Sequence, residues 1–166
     1  LWTVCRELSC RMLMLAGIGD KDECGRLVNE AVESGEALMR FEMMVKLQGG
    51  DVSYIEDTSK FRKASFSREV YAPADGYITH MDSEKIGLTA VLLGAGREKK
   101  DDDINHAAGI IIAAKTGDFV KRGELLATLF ADDESRLDGA ESRYLSAVSI
   151  GDKKPAEQPM ILDYID

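Results

Sequence analysis

The chain has 166 residues, 45% of them hydrophobic, and a formal net charge of −9. That length suits one domain, or one domain with a piece of another, and the apolar fraction excludes wholesale disorder. The acidic balance disfavours electrostatic binding to nucleic acid or to an anionic membrane, which both need a basic face, and no apolar run approaches the roughly 20 residues of a membrane span.

Residues 1–50 read as helix throughout. Leu1, Val4, Cys5, Leu8, Met12 and Leu15 recur at helical spacing on one face, and Gly17 and Gly19 end the pattern. Asp20 is placed to cap a second helix, with Glu23 three residues on, and its apolar face is Cys24, Leu27, Val28, Ala31 and Val32. Ser34 is the expected cap of a third helix carrying Leu38, Phe41 and Val45, stopped by Gly49 and Gly50. The cysteines number three, Cys5, Cys10 and Cys24, and form no Cys-x-x-Cys pair, so neither a disulfide framework nor a zinc site is expected. Cys5 and Cys24 read as small buried hydrophobes, and reduced thiols fit a cytoplasmic protein. No basic-then-apolar leader opens the chain, and Leu1 already stands inside a helical pattern, as expected of a cut chain.

Residues 51–61 are polar and aperiodic and read as a linker with at most one short strand. From residue 62 the composition changes. Val70 and Tyr71, Gly76 to His80, Gly109 to Ala114 and Leu125 to Phe130 are β-rich runs, and Pro73 with Asp75 and Gly76 marks a tight turn. Ser83 is read as the cap of a helix ending at Gly94. Asp132 or Asp133 starts another that aligns Leu137, Ala140, Tyr144, Leu145 and Val148, and Met160 to Ile165 reads as a final strand. The second half is therefore an α+β unit. Its turn segments, Ala72-Pro73-Ala74-Asp75-Gly76 and Gly117-Asp118-Phe119-Val120-Lys121-Arg122-Gly123, predict an α/β-hammerhead, or barrel-sandwich-like, domain in which strands cross at paired turns.

These blocks carry a family resemblance. Taken with Gly94-Ala95-Gly96-Arg97 and with Phe41-x-x-Met44-x-x-x-Gln48-Gly49-Gly50-Asp51, they resemble, in consistent order along nearly the whole chain, the C-terminal portion of the pyrimidine-nucleoside and thymidine phosphorylases. The resemblance implies that residues 1–50 are the closing helices of a catalytic domain, 51–61 a linker and 62–166 the C-terminal domain. It implies a homodimeric pentosyltransferase that cleaves pyrimidine nucleosides with phosphate as co-substrate, giving the free base and a pentose 1-phosphate, with no cofactor. The family's phosphate-binding and base-binding residues have no counterpart here, so no catalytic residue is assigned to this segment, which alone is expected to be inactive.

One candidate functional element remains, the loop beginning Gly94, Ala95, Gly96, Arg97 and continuing through Glu98, Lys99 and Lys100 into Asp101-Asp102-Asp103. In the family the matching loop helps close the cleft, and a glycine-hinged charged loop suits a water-excluding lid. The alternative is a helix C-cap at Gly94 followed by solvated charges. A phosphate-loop reading fits poorly, because the loop follows a helix and so meets its negative end. His80 and His106 lack spaced partners and read as structural, and the acidic run lacks calcium-loop spacing, so no metal is expected. The same turn pattern is similar to biotinyl and lipoyl carriers, but where their modified lysine stands this chain has Ala131-Asp132-Asp133-Glu134. A related nucleoside-monophosphate phosphorylase is the enzyme alternative.

Overall fold

The computed structural model describes residues 1–97 and 99–165. They fall into two units, one comprising residues 1–61 together with 158–165, the other residues 62–157.

The first unit is helical: α1 (Trp2–Leu15), α2 (Lys21–Glu33), α3 (Glu36–Leu47) and a single-turn α4 (Ser53–Glu56), followed by a 3₁₀ turn over Thr58–Lys60. Asp20 caps α2 as expected, its side chain accepting a hydrogen bond from the Glu23 amide at 2.9 Å. Ser34 is not the N-cap residue of α3, although its hydroxyl accepts from the Glu36 amide at 3.4 Å. That helix starts at Glu36 behind Gly35, whose φ of 82° closes α2 and opens α3 in one step. The 51–61 stretch holds helical turns in place of a strand, organised locally by Asp51 and Asp57, which accept from the amides of Ser53 and Ser59.

The buried side of α1 is not the expected one. Cys10 is buried against α2, where Cys24 and Val28 are also buried, whereas Cys5 is exposed and Leu8, Met12 and Leu15 are more than half exposed. The helices meet through small groups. The Cys10 thiol lies 3.3 Å from the Lys21 carbonyl oxygen, and the Arg6 side chain lies over Gly25 and donates to Asn29 Oδ1 at 2.8 Å. Periodicity finds an apolar stripe, but here the partner helix sits on the other side of it. Met160 to Ile165 is likewise not a strand. It is irregular, and the Tyr164 ring packs beneath the Arg11 guanidinium (4.5 Å) and the Lys21 ammonium (5.2 Å), an arrangement that favours an aromatic ring over most other side chains.

The second unit is α+β. Its strands are β1 (Phe66–Tyr71), β2 (Gly76–Met81), β3 (Gly109–Ile112), β4 (Phe119–Val120), β5 (Leu125–Ala131) and β6 (Val148–Gly151), with helices α5 (Ser83–Ala90) and α6 (Ser135–Ala147). They form two antiparallel three-stranded sheets, ordered β1-β5-β3 and β4-β2-β6. One core draws on both sheets and on α6, built from Val70, Ile78, Val120, Leu126, Leu129, Leu137 and Tyr144 with Leu93. β5 is buried on both sides, so it reads as a continuous apolar run rather than an alternation. The helix starts differ from the sequence reading, by one residue for α5 and by two or three for α6, which begins at Ser135. Asp82, not Ser83, caps α5 by accepting from the Lys85 amide. Asp133 accepts from the Ser135 amide and hydroxyl ahead of α6.

The paired turns interlock through the backbone. Ala72 and Gly123 are joined by the Gly123 amide donating to the Ala72 carbonyl, and the Ala72 amide donates to the Glu124 carbonyl, each at 2.8 Å. Asp75 Oδ1 accepts from the Arg122 amide at 2.6 Å, and the Ile78 and Gly117–Asp118 backbones exchange a similar pair. Gly76 is needed at this crossing: its φ is 151°, and a Cβ there would stand 2.7 Å from Ile150 Cγ2 and 2.9 Å from the Gly151 carbonyl oxygen. β6, which supplies those neighbours, follows α6 without a break at Val148.

A charged loop pinned at its neck

The candidate lid leaves the end of α5. After Ala90 the helix widens into a π-type turn over Val91–Ala95, and Gly94, with φ of 108°, brings it to a stop. Leu93 is buried, which fixes this end of the helix to the core. Beyond it Gly96 is extended, and Arg97, Lys99 and Lys100 are exposed. Glu98 lies outside the described residues. The loop is organised internally by the Lys99 amide donating to Asp102 Oδ2 at 2.8 Å, while the Asp102 amide donates to the Lys99 carbonyl at 3.1 Å. Ala95 continues the backbone between the two glycines and is half-buried.

The loop closes on itself at Asn105, whose backbone amide donates to the Gly94 carbonyl at 2.9 Å. The Asn105 side chain bonds through both its oxygen and its nitrogen. Oδ1 accepts from the Ala107 amide at 3.0 Å and from Arg62 Nη2 at 2.7 Å, and Nδ2 donates to Asp132 Oδ2 at 2.8 Å. Asp132 in turn receives Arg62 on Oδ2 and the Ser65 amide and hydroxyl on Oδ1, at 2.8 and 2.9 Å. Both carboxylate oxygens are therefore occupied by donors. The Ser65 amide, then the Arg62 guanidinium and the remaining donors, hold the Asp132 carboxyl at a pKa of about 2.

This network forms one wall of a cleft of about 220 Å³ lined by Leu93, Gly94, Asp103, Asn105, Asp132, Asp133 and Arg136. Arg136 donates to the Leu92 carbonyl at 3.2 Å and faces Asp133 at 3.6 Å. Carboxylates outnumber cations along the cleft, so its field opposes an anionic ligand. The loop's cations Arg97, Lys99 and Lys100 are not among its lining. His80 on β2 and His106 beyond the loop are both exposed, and among the described residues no His, Cys, Asp and Glu side chains gather as a metal site.

The sequence pointed to the loop through its glycines and charge. It did not point to the residues that hold it. Asp132 was legible only as a possible helix start, and Arg62, Ser65 and Asn105 carried no signal, because they reach Asp132 from 70, 67 and 27 positions away. No spacing rule covers such separations.

Residues 77–151 match the family model described as the pyrimidine nucleoside phosphorylase C-terminal domain. The chain is similar to the pyrimidine-nucleoside phosphorylase of Bacillus subtilis (strain 168), with 40% identity over 129 residues, which is 77% of this chain and 30% of that protein. The Geobacillus stearothermophilus protein of the same name is 31% identical over 160 residues, 96% of this chain and 36% of its own length. That of Staphylococcus aureus (strain bovine RF122 / ET3-1) is 36% identical over 146 residues, covering 87% and 34%. The chain thus spans about a third of the length of the relatives it matches.

Proposed function

We propose, for a chain that carries the C-terminal domain of the pyrimidine-nucleoside phosphorylases, that it is the closing segment of an enzyme of that kind. The reaction is phosphorolysis: a pyrimidine nucleoside and phosphate give the free base and a pentose 1-phosphate, which makes the whole enzyme a pentosyltransferase. Phosphate is the co-substrate and no cofactor takes part. We read residues 1–50 as the last helices of the catalytic domain. The exposed apolar side chains of α1 and α3, among them Leu8, Met12, Leu38 and Met39, fit a face covered by the rest of that enzyme. The interlocked turns around Gly76 and Gly123 support a hammerhead arrangement of the second unit. A homodimer in the cytoplasm completes the reading, and its free thiols suit a reducing compartment.

Catalysis in such a reaction rests on holding phosphate against the sugar carbon and stabilising the departing base. The segment's part is to shut water out through the 94–105 loop. The observation that carries this role is the loop's build: an exposed, charged span hung from a glycine-ended helix and closed at a fixed neck. A carrier role has no place for its lysine, since the corner after β5 is taken by Asp132 and its donors.

The test is deletion of Lys99 to Asp102 from the full-length protein. The expected result is a fall in kcat/KM for uridine phosphorolysis of at least about tenfold, or about 1.4 kcal/mol of transition-state stabilisation, with the melting temperature largely unchanged. Unchanged kinetics would refute the lid. Base release from uridine by the 166-residue chain alone would refute its inactivity.

A further inference from the structure

We propose that Asp132 is a positioning residue that ties the neck of the 94–105 loop, through Asn105, to the place where the chain comes into the second unit, through Arg62 and Ser65. The inference rests on the lid reading above and adds what governs the lid: its base moves with the incoming chain.

The geometry makes this a tether and not a scattering of surface contacts. Asn105 fastens both ends of the loop, its backbone amide holding the Gly94 carbonyl and its side chain reaching Asp132. Arg62 binds Asn105 and Asp132 through the same Nη2 nitrogen, so the first residue of the unit bears on both members of the tether. Ser65 adds its amide and hydroxyl to the carboxylate oxygen that Asn105 does not use. A displacement of residues 62–65 therefore reaches the loop's neck through hydrogen bonds alone, without repacking the core. Isolated surface ion pairs contribute little, but a carboxylate whose lone pairs are all met by convergent donors holds its geometry far better.

Trypsin reads this directly, because Arg97, Lys99 and Lys100 place its cleavage sites on the loop, while Lys121 and Arg122 place others on the interlocked turn. Nicking of the native chain is followed by mass spectrometry for the parent and for Asp132→Asn, Asn105→Ala and Ser65→Ala. Asp132→Asn leaves one acceptor oxygen where there were two, so the Ser65 donors and the Asn105–Arg62 donors can no longer both be met. We expect Asp132→Asn and Asn105→Ala each to speed cleavage at 97–100 by about tenfold with no change at 121–122, their combination to add little to either, and Ser65→Ala, which keeps its amide on Asp132, to speed it by a smaller factor of about threefold. Equal acceleration at both places would show that the substitutions loosen the whole unit, and no acceleration would show that the neck is held by other means; either overturns the proposal. The loop deletion separates the two claims. If Asp132→Asn frees the loop but its removal leaves turnover unchanged, the tether stands and the lid falls; if the loop is not freed, the tether falls whatever the kinetics.

Discussion

Replacing Gly76 with alanine tests whether the glycine of the first turn is there for the crossing of β2 and β6. The cost has two parts. The backbone at φ of 151° is one that L residues rarely adopt, and holding alanine there costs about 1–3 kcal/mol. The new Cβ would then lie 2.7 Å from Ile150 Cγ2 and 2.9 Å from the Gly151 carbonyl oxygen. The isoleucine methyl can turn away, but the carbonyl belongs to the strand whose register pairs Tyr77 with Gly151, so relief requires the sheet to open; overpacking of that sort costs a further ~1–3 kcal/mol. The sum, about 2–6 kcal/mol, is a large part of an ordinary domain's stability of about 5–15 kcal/mol. Gly123→Ala is the matched control. Its φ is 82° and nothing lies within 4 Å of the built Cβ, so only the backbone term of about 1–2 kcal/mol applies. Scanning calorimetry of both variants should show Gly76→Ala melting lower than Gly123→Ala by at least about 4 °C, the shift expected per kcal/mol for a unit of this size. Equal melting temperatures would mean that the strands separate without cost, and the steric account of this glycine would be wrong.

Acid should weaken the Asp132 network in a defined window. The folded carboxyl titrates at about 2 against a reference of 3.8, so the unfolded chain binds the extra proton between those values and stability rises with pH there. The contribution is fully present above about pH 4 and is lost as pH falls towards 2. Asp132→Asn should flatten the acid limb of a stability-pH curve over that range, and an unchanged limb would contradict the network. Thiol labelling checks the α1–α2 packing. Cys5 is exposed, whereas Cys10 and Cys24 are buried and burial raises the Cys24 thiol pKa. A maleimide at neutral pH should mark Cys5 alone until denaturant is added, and marking of Cys24 at the rate of Cys5 would show that the helices are apart.

What could be read from the sequence was whatever is written locally. The Asp20 cap, the stop at Gly49-Gly50, the break at Gly94 and the β-rich runs all depend on neighbours a few positions away. The failures are of another kind. Leu8, Met12 and Leu15 form a genuine stripe, yet α1 meets α2 through Cys10 on a different side, a choice made by the partner and not by periodicity. β6 is not separable from α6 in the sequence, because no glycine or proline stands between Ala147 and Val148 and four residues are too few to show alternation. Met160 to Ile165 has strand-forming residues but no strand beside it, and the position of Tyr164 between Arg11 and Lys21 is a tertiary matter. In the site the division is the same. The loop's glycines and charges were visible, whereas its fastening depends on residues brought together only by folding.

β5 lies in the middle of its sheet, hydrogen-bonded on both flanks, with Leu126, Ala127, Leu129 and Ala131 at 0–1% exposure. Its amides are the ones expected to exchange with solvent most slowly, since reaching them requires the whole unit to open. Asp132 is the very next residue. The acceptor to which Asn105, Arg62 and Ser65 all bind is thus attached to the part of the unit that is last to let go, so the Asp132 end of the network should outlast the opening of edge strand β3.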